Sequence, residues 1–140
     1  MMRVKKRMLA AALVAVGALA SGVAFAEEAM VMVSLSGENE VPPVKTSASG
    51  DGMFTVTDDG KISGSITTKG IQGTMAHIHH GAAGKNGPVV VKLEKSSDTY
   101  SVPAGTKLDA DQMKAFKAGE LYVNVHSAQN KGGEIRAQLK

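Results

Sequence analysis

Along most of the chain, apolar and polar residues alternate over short stretches, and glycine or a turn dipeptide interrupts each one. "MVMVSLSG" (30–37) alternates up to Gly37, and "GMFTVTDDGKISGSITTKG" (52–70) carries two strand patterns around Asp58-Asp59-Gly60. Alternation of period two marks half-buried strands, and an Asp-Gly turn between two of them marks a hairpin. "TMAHIHH" (74–80), "GPVVVKLEK" (87–95), "LYVNVHSA" (121–128) and "GEIRAQLK" (133–140) continue the series. Strands at roughly ten-residue spacing predict an all-β fold, an antiparallel Greek-key-like sandwich or barrel. One segment breaks the pattern. "LDADQMKAFKAG" (108–119) spaces Leu108, Met113 and Phe116 as a helix does, with Asp109 as N-cap and Gly119 as stop. It predicts a single short helix near 109–118. Pro42-Pro43 place their segment at an edge or in a turn.

Strand parity assigns faces, because residues i and i+2 point the same way. Met75, His77 and His79 share one face of their strand, opposite Ala76 and Ile78. Leu121, Val123 and Val125 oppose Tyr122, Asn124 and His126; Ile135, Ala137 and Leu139 oppose Glu134, Arg136 and Gln138. With the apolar faces turned to the core, His77, His79, Asn124, His126, Glu134 and Arg136 all fall on the polar side. Should the 75–80 and 121–126 strands be neighbours, His126 approaches the His77/His79 pair. The "SAQNKGG" loop predicts that the last two strands pair as a hairpin.

The first 26 residues change the picture of the charge. "MMRVKKR" followed by an apolar run and Ala24-Phe25-Ala26 has the form of a secretory signal peptide cleaved after Ala26. The expected product is one domain, 27–140, periplasmic or secreted, with no stable membrane insertion after cleavage. The leader holds Arg3, Lys5, Lys6 and Arg7, four of 16 Lys and Arg, which leaves 12 basic against 13 acidic residues and a net charge of −1. No basic patch then favours nucleic acid, and the aromatic platforms such binding uses are few. Absence of cysteine excludes disulfides and a thiolate zinc site.

The chemistry therefore rests on imidazole. An H-x-H pair on one strand face joined by a third histidine from a neighbour makes a three-ligand set that suits copper, with zinc possible. Met75 on that face would add a thioether and favour Cu(I), and Glu134 or Asn124 would orient an imidazole from behind. Metal ligands must be neutral, so affinity is expected to fall through the ordinary histidine range near ~6.5. The opposing expectation is that the histidines are polar surface or hydrogen-bond donors of the glycine loop, in a metal-free extracellular interaction or adhesion module. Met30, Met32 and Met53 are expected as core filler, and the "ENE", "DD" and "KGGE" charges as solvated turns. "GAAGKNG" lacks the G-K-[ST] and following helix of a phosphate-binding loop. No Ser-His-Asp set or placed carboxylate pair suggests an enzyme.

Three blocks, "LSGENEVPPVKTSASGDG", "AHIHHGAAGKNGPVVVKL" and "GELYVNVHSAQNKGGEIRAQL", resemble the signature blocks of the CHRD domain, in order, over about residues 33–140. The resemblance implies an all-β extracellular or periplasmic module, here of the single-domain exported bacterial type. Lys131 stands where the family pattern has proline after Asn130, and Ala137 where it has glycine; neither is a candidate ligand. In chordin the surrounding protein sequesters growth factors, a partner a lone bacterial domain lacks. A looser likeness is to Cu,Zn superoxide dismutase, whose copper is held partly by a strand H-x-H and a later histidine. "HIH" and "VNVH" echo it, but the zinc-loop ligands and disulfide cysteines have no counterparts. The candidate ligands are thus His77, His79 and His126, for a copper ion in periplasmic sequestration, transfer or tolerance, with a periplasmic protein as possible partner.

Overall fold

Alternation is realised as two antiparallel sheets packed face to face in a computed structural model, which describes residues 27–140 together with Gly17 and Gly22. The proposed leader lies outside the described residues. The strands are β1 (Glu28–Leu35), β2 (Ser49–Thr57), β3 (Ile62–Lys69), β4 (Gly73–His80), β5 (Val89–Lys92), β6 (Glu94–Ser96), β7 (Thr99–Ser101), β8 (Leu121–Ser127) and β9 (Ile135–Gln138). One sheet runs β1-β2-β3-β7-β6 and the other β5-β4-β8-β9. At one corner the sheets are joined by Ser36 and Arg136, which exchange backbone hydrogen bonds of 3.2 and 3.0 Å. They do not close into a barrel, so the fold is the sandwich of the two expected forms.

Inward residues of both sheets interdigitate to make the core: Val33, Phe54 and Ile66 from one side, Ile78, Val123, Val125 and Ile135 from the other. The predicted β2–β3 hairpin turns at Gly60, whose φ of 93° is one that side-chain-bearing residues rarely adopt. The helix α1 (Ala110–Lys117) begins as expected at Asp109, whose side chain accepts from Gln112 N–H while the Gln112 side chain accepts from Asp109 N–H. It seats Ala115 in the core beside Leu108.

Two expectations are corrected, and one strand is added. "GPVVVKLEK" is two strands, since the chain passes from one sheet to the other at Leu93, whose N–H donates to Ala76 C=O at 3.0 Å. β6 and β7 are three residues each, too short to show a period, and β7 is not visible in the pattern. The methionines of β1 and β2 are not core filler: Val31 and Val33 point inward, while Met30, Met32 and Met53 face water, 65, 81 and 41 % exposed. Alternation there offers two apolar faces, and the β-branched valines occupy the packed one.

The outer face of the β4–β8–β9 region also differs from a solvated polar face. Every residue of β8 is buried on both sides. Loops 81–87 and 128–134 fold over it, so its polar residues form a second, hydrogen-bonded layer.

Candidate metal centre

β4 and β8 are antiparallel neighbours, with Met75 opposite His126, His77 opposite Asn124 and His79 opposite Tyr122. That register, which spacing alone does not dictate, brings the two histidine segments onto one face. His77, His79 and His126 each offer a ring nitrogen such that all three lie within 4.8 Å of one another. Ring centroids are 4.9 Å apart for His77–His126, 5.5 Å for His77–His79 and 6.0 Å for His79–His126.

Backbone carbonyls fix the tautomers of two rings. His79 Nδ1 donates to Gly87 C=O at 3.0 Å, and His126 Nδ1 donates to Lys131 C=O at 2.8 Å. Each carbonyl can only accept, so in the neutral rings both Nε2 atoms carry lone pairs. His126 Nε2 lies 3.1 Å from His77 Nδ1 and accepts that ring's proton. His79 Nε2 is buried and has no hydrogen-bond partner. An orphaned buried acceptor is uncommon and costs about 1–3 kcal/mol, and here it faces two other imidazoles.

Position and protonation are set by the surroundings. His79 and His126 are each only 8 % exposed, so the cluster is not on the surface as expected; His77 is its half-buried member. Burial pushes the His77 imidazole down to about 4, helped by the nearby rings of His126 and His79 and the Lys92 ammonium. Burial also lowers His79, against the opposing effects of its bond to Gly87 C=O and of the nearby Asn124 side chain. Both rings therefore stay neutral below the ordinary histidine range, and the expected loss of affinity near ~6.5 moves to lower pH for these two.

Several residues that position the site carry no local signal. Tyr122 stacks on His79 with centroids 4.7 Å apart and planes 4° from parallel, and the Arg136 guanidinium lies 3.4 Å from its ring centre. Tyr122 Oη accepts from Gly87 N–H at 3.0 Å, so one residue supports both the ring of His79 and the carbonyl that orients it. Arg136 donates to Ala82 and Lys85 carbonyls and to Asn86 Oδ1, which pins the "GAAGKNG" loop over the layer. Glu134, expected behind an imidazole, instead accepts from Ser127, Asn130 and Thr46. Burial alone would raise its carboxyl, but those three donors hold it below the usual range. Asn124 sends its amide to Gly132 C=O at 3.4 Å and leaves Oδ1 unpartnered. Glu40 is buried rather than solvated, and burial raises its carboxyl, with the Asn124 amide and Arg136 charge opposing. His80 lies outside the cluster, exposed, with Nε2 3.5 Å from Glu120.

A two-sheet sandwich with an imidazole triad under its outer loops is thus the class of protein. Residues 31–139 match the family model of the CHRD domain, so the chain belongs to that family. Membership points to an extracellular or periplasmic module. No curated protein and no solved structure matches the chain. Among the described residues, no helix is long and apolar enough to cross a membrane.

Proposed function

We propose that this is an exported metal-binding protein that carries one copper ion on His77, His79 and His126, for sequestration, transfer or tolerance in the periplasm. The observation that supports it is the convergence of three ring nitrogens within 4.8 Å, with one Nε2 buried and unpartnered. Two nitrogens bound to one ion at ~2.0–2.1 Å each can be no more than about 4.2 Å apart. The 3.1 Å contact already satisfies that limit, and no pair in the triad exceeds it by more than about 0.6 Å. To present Nδ1 to a cation, His77 moves the proton it shares with His126 to its own Nε2, a change of tautomer without a change of charge. Anchored Nδ1 atoms keep the other two rings aimed inward. Met75, opposite His126 in register and half exposed, stands at the rim as a soft donor that favours copper over zinc. An ion held by three imidazoles keeps a position open for exchange with a donor or acceptor, which a carrier needs and which requires no catalysis.

Titration of the purified protein with Cu(II), Cu(I) and Zn(II) tests this reading. One equivalent is expected to bind at the imidazoles, and that equivalent is expected to be lost in His77→Ala and His126→Ala. Absence of retained metal and an unchanged melting temperature would instead indicate a metal-free interaction module. Rapid superoxide turnover by the copper form would indicate a dismutase.

A further inference from the structure

Residues 27–140 contain five methionines, and four of them, Met30, Met32, Met53 and Met75, are exposed; only Met113 packs against the core. An apolar side chain left in water forgoes most of the ~2 kcal/mol its burial would supply, so the fold does not account for these positions. Met75 belongs to the rim of the imidazole cluster. The other three lie on one face of the opposite sheet. Met30 and Met32 are two apart on β1 and share its outer face, and Met53 of β2 lies directly opposite Met32. Their neighbours on that face carry hydroxyls (Ser34, Thr55 and Ser65) or carboxylates (Glu28 and Asp51), so no broader apolar surface surrounds them. A groove of ≈ 770 Å³ opens beside Met32 and Met53, lined also by Ser34, Asp51, Ser65 and Thr67.

We propose that Met30, Met32 and Met53 form a second metal site, taking Cu(I) through three thioethers. Directly opposed strand residues have Cβ atoms about 4.5–5.5 Å apart, and each methionine sulfur sits two bonds further out on a flexible stem. Three such stems reach a common point above the strands without moving the backbone. Thioethers are soft donors that select Cu(I), and no proton competes for them in the range where imidazole titrates. This site shares no donor with the imidazole cluster and stands whether or not that cluster binds an ion.

The test uses protein labelled with 13C at the methionine methyls, titrated with Ag(I) as a redox-inert probe and then with Cu(I) held under reducing conditions. It is run on the unaltered protein and on His77→Ala/His126→Ala, so that the imidazole site is separately present and absent. The methyls of Met30, Met32 and Met53 are expected to shift together along one curve, complete at one equivalent in the histidine variant and within two in the unaltered protein, while Met113 stays in place. Met32→Leu/Met53→Leu keeps the apolar surface and removes two sulfurs; it is expected to weaken binding at least 100-fold with an unchanged melting temperature. Three outcomes would overturn the proposal: no shift, methyls that saturate independently, or binding that survives the leucine changes. Since the unaltered protein reads the same methyls, a histidine variant that fails to fold leaves the result standing.

Discussion

Tyr122 carries the most informative perturbation, because its ring and its hydroxyl do separable things. The hydroxyl accepts one bond, from Gly87 N–H at 3.0 Å. Tyr122→Phe removes that bond alone and leaves a partly buried donor unpaired, a cost of about 1 kcal/mol. The ring lies between β4 and β9, under the His79 imidazole and against the Arg136 guanidinium at 3.4 Å. A desolvated cation–π contact contributes about 2 kcal/mol and a stacked aromatic pair about 1 kcal/mol more. Tyr122→Leu loses both as well as the hydrogen bond, about 4 kcal/mol in all, while Arg136 keeps its donors satisfied by loop 81–87. A domain stable by the usual ~5–15 kcal/mol still folds with that loss. Urea unfolding followed by circular dichroism measures both variants, and metal titration measures the consequence for His79. The leucine variant is expected to bind copper about 10-fold more weakly, the usual effect of removing a residue that orients a ligand, and the phenylalanine variant within about twofold of the unaltered protein. Equal stability of the two variants would refute the energetic role of the ring. Unchanged copper affinity in Tyr122→Leu would show that the Gly87 carbonyl alone holds His79.

Two further outcomes follow from the same layer. The His77 and His79 rings titrate below their unfolded value near ~6.5, so between the two values the unfolded chain holds more protons and stability rises with pH. The metal-free protein is expected to lose melting temperature as pH falls from about 6.5 towards 4, and His77→Gln to flatten part of that slope; a flat profile in the unaltered protein would contradict the burial of these rings. Gly133 has φ of 122°, and a Cβ there would run into Asn124 Nδ2 and meet the Glu40 carboxylate oxygens at 2.7 and 2.8 Å. Gly133→Ala is expected to cost about 2–4 kcal/mol through backbone strain and overpacking, readable as a lower urea midpoint with an unchanged slope.

Much of the sandwich is legible because period-two alternation is a local property. "AHIH" and "NVH" each place their histidines opposite an apolar face, and the residues that carry that contrast are adjacent in sequence. What escapes is whatever long-range closure decides. Arg136 reaches Ala82 and Asn86 across some fifty residues, and nothing in "EIRAQ" or "GAAGKNG" announces the bond. For that reason the polar side of β8 reads as solvent-facing and is in fact covered. Glu40 and Tyr122 are missed by the same failure: a lone glutamate in "ENE" and a tyrosine in a strand are ordinary until loops close over them. The methionines fail differently. "MVMV" alternates two apolar residue types, so its period gives strand and parity but leaves the choice of inner face to packing.

Covering the imidazoles changes what they can do as well as where they are. On an open face they would titrate at ordinary values and compete with protons wherever the pH dips below ~6.5. Beneath loops 81–87 and 128–134, burial keeps His77 and His79 neutral, the state a cation requires. The same burial leaves His79 Nε2 without a protein hydrogen-bond partner, at a cost to the metal-free fold. A ligand that accepts this lone pair removes the cost, so binding and folding are coupled, and stabilisation grows as RT ln(1 + [L]/Kd). At a hundredfold excess of free metal over Kd that amounts to about 2.7 kcal/mol, or a rise in melting temperature on the order of 10 °C for a domain of this size. A cluster serving only as hydrogen-bond donors to the loops gives no such rise, because both Nδ1 bonds are already made in the metal-free protein.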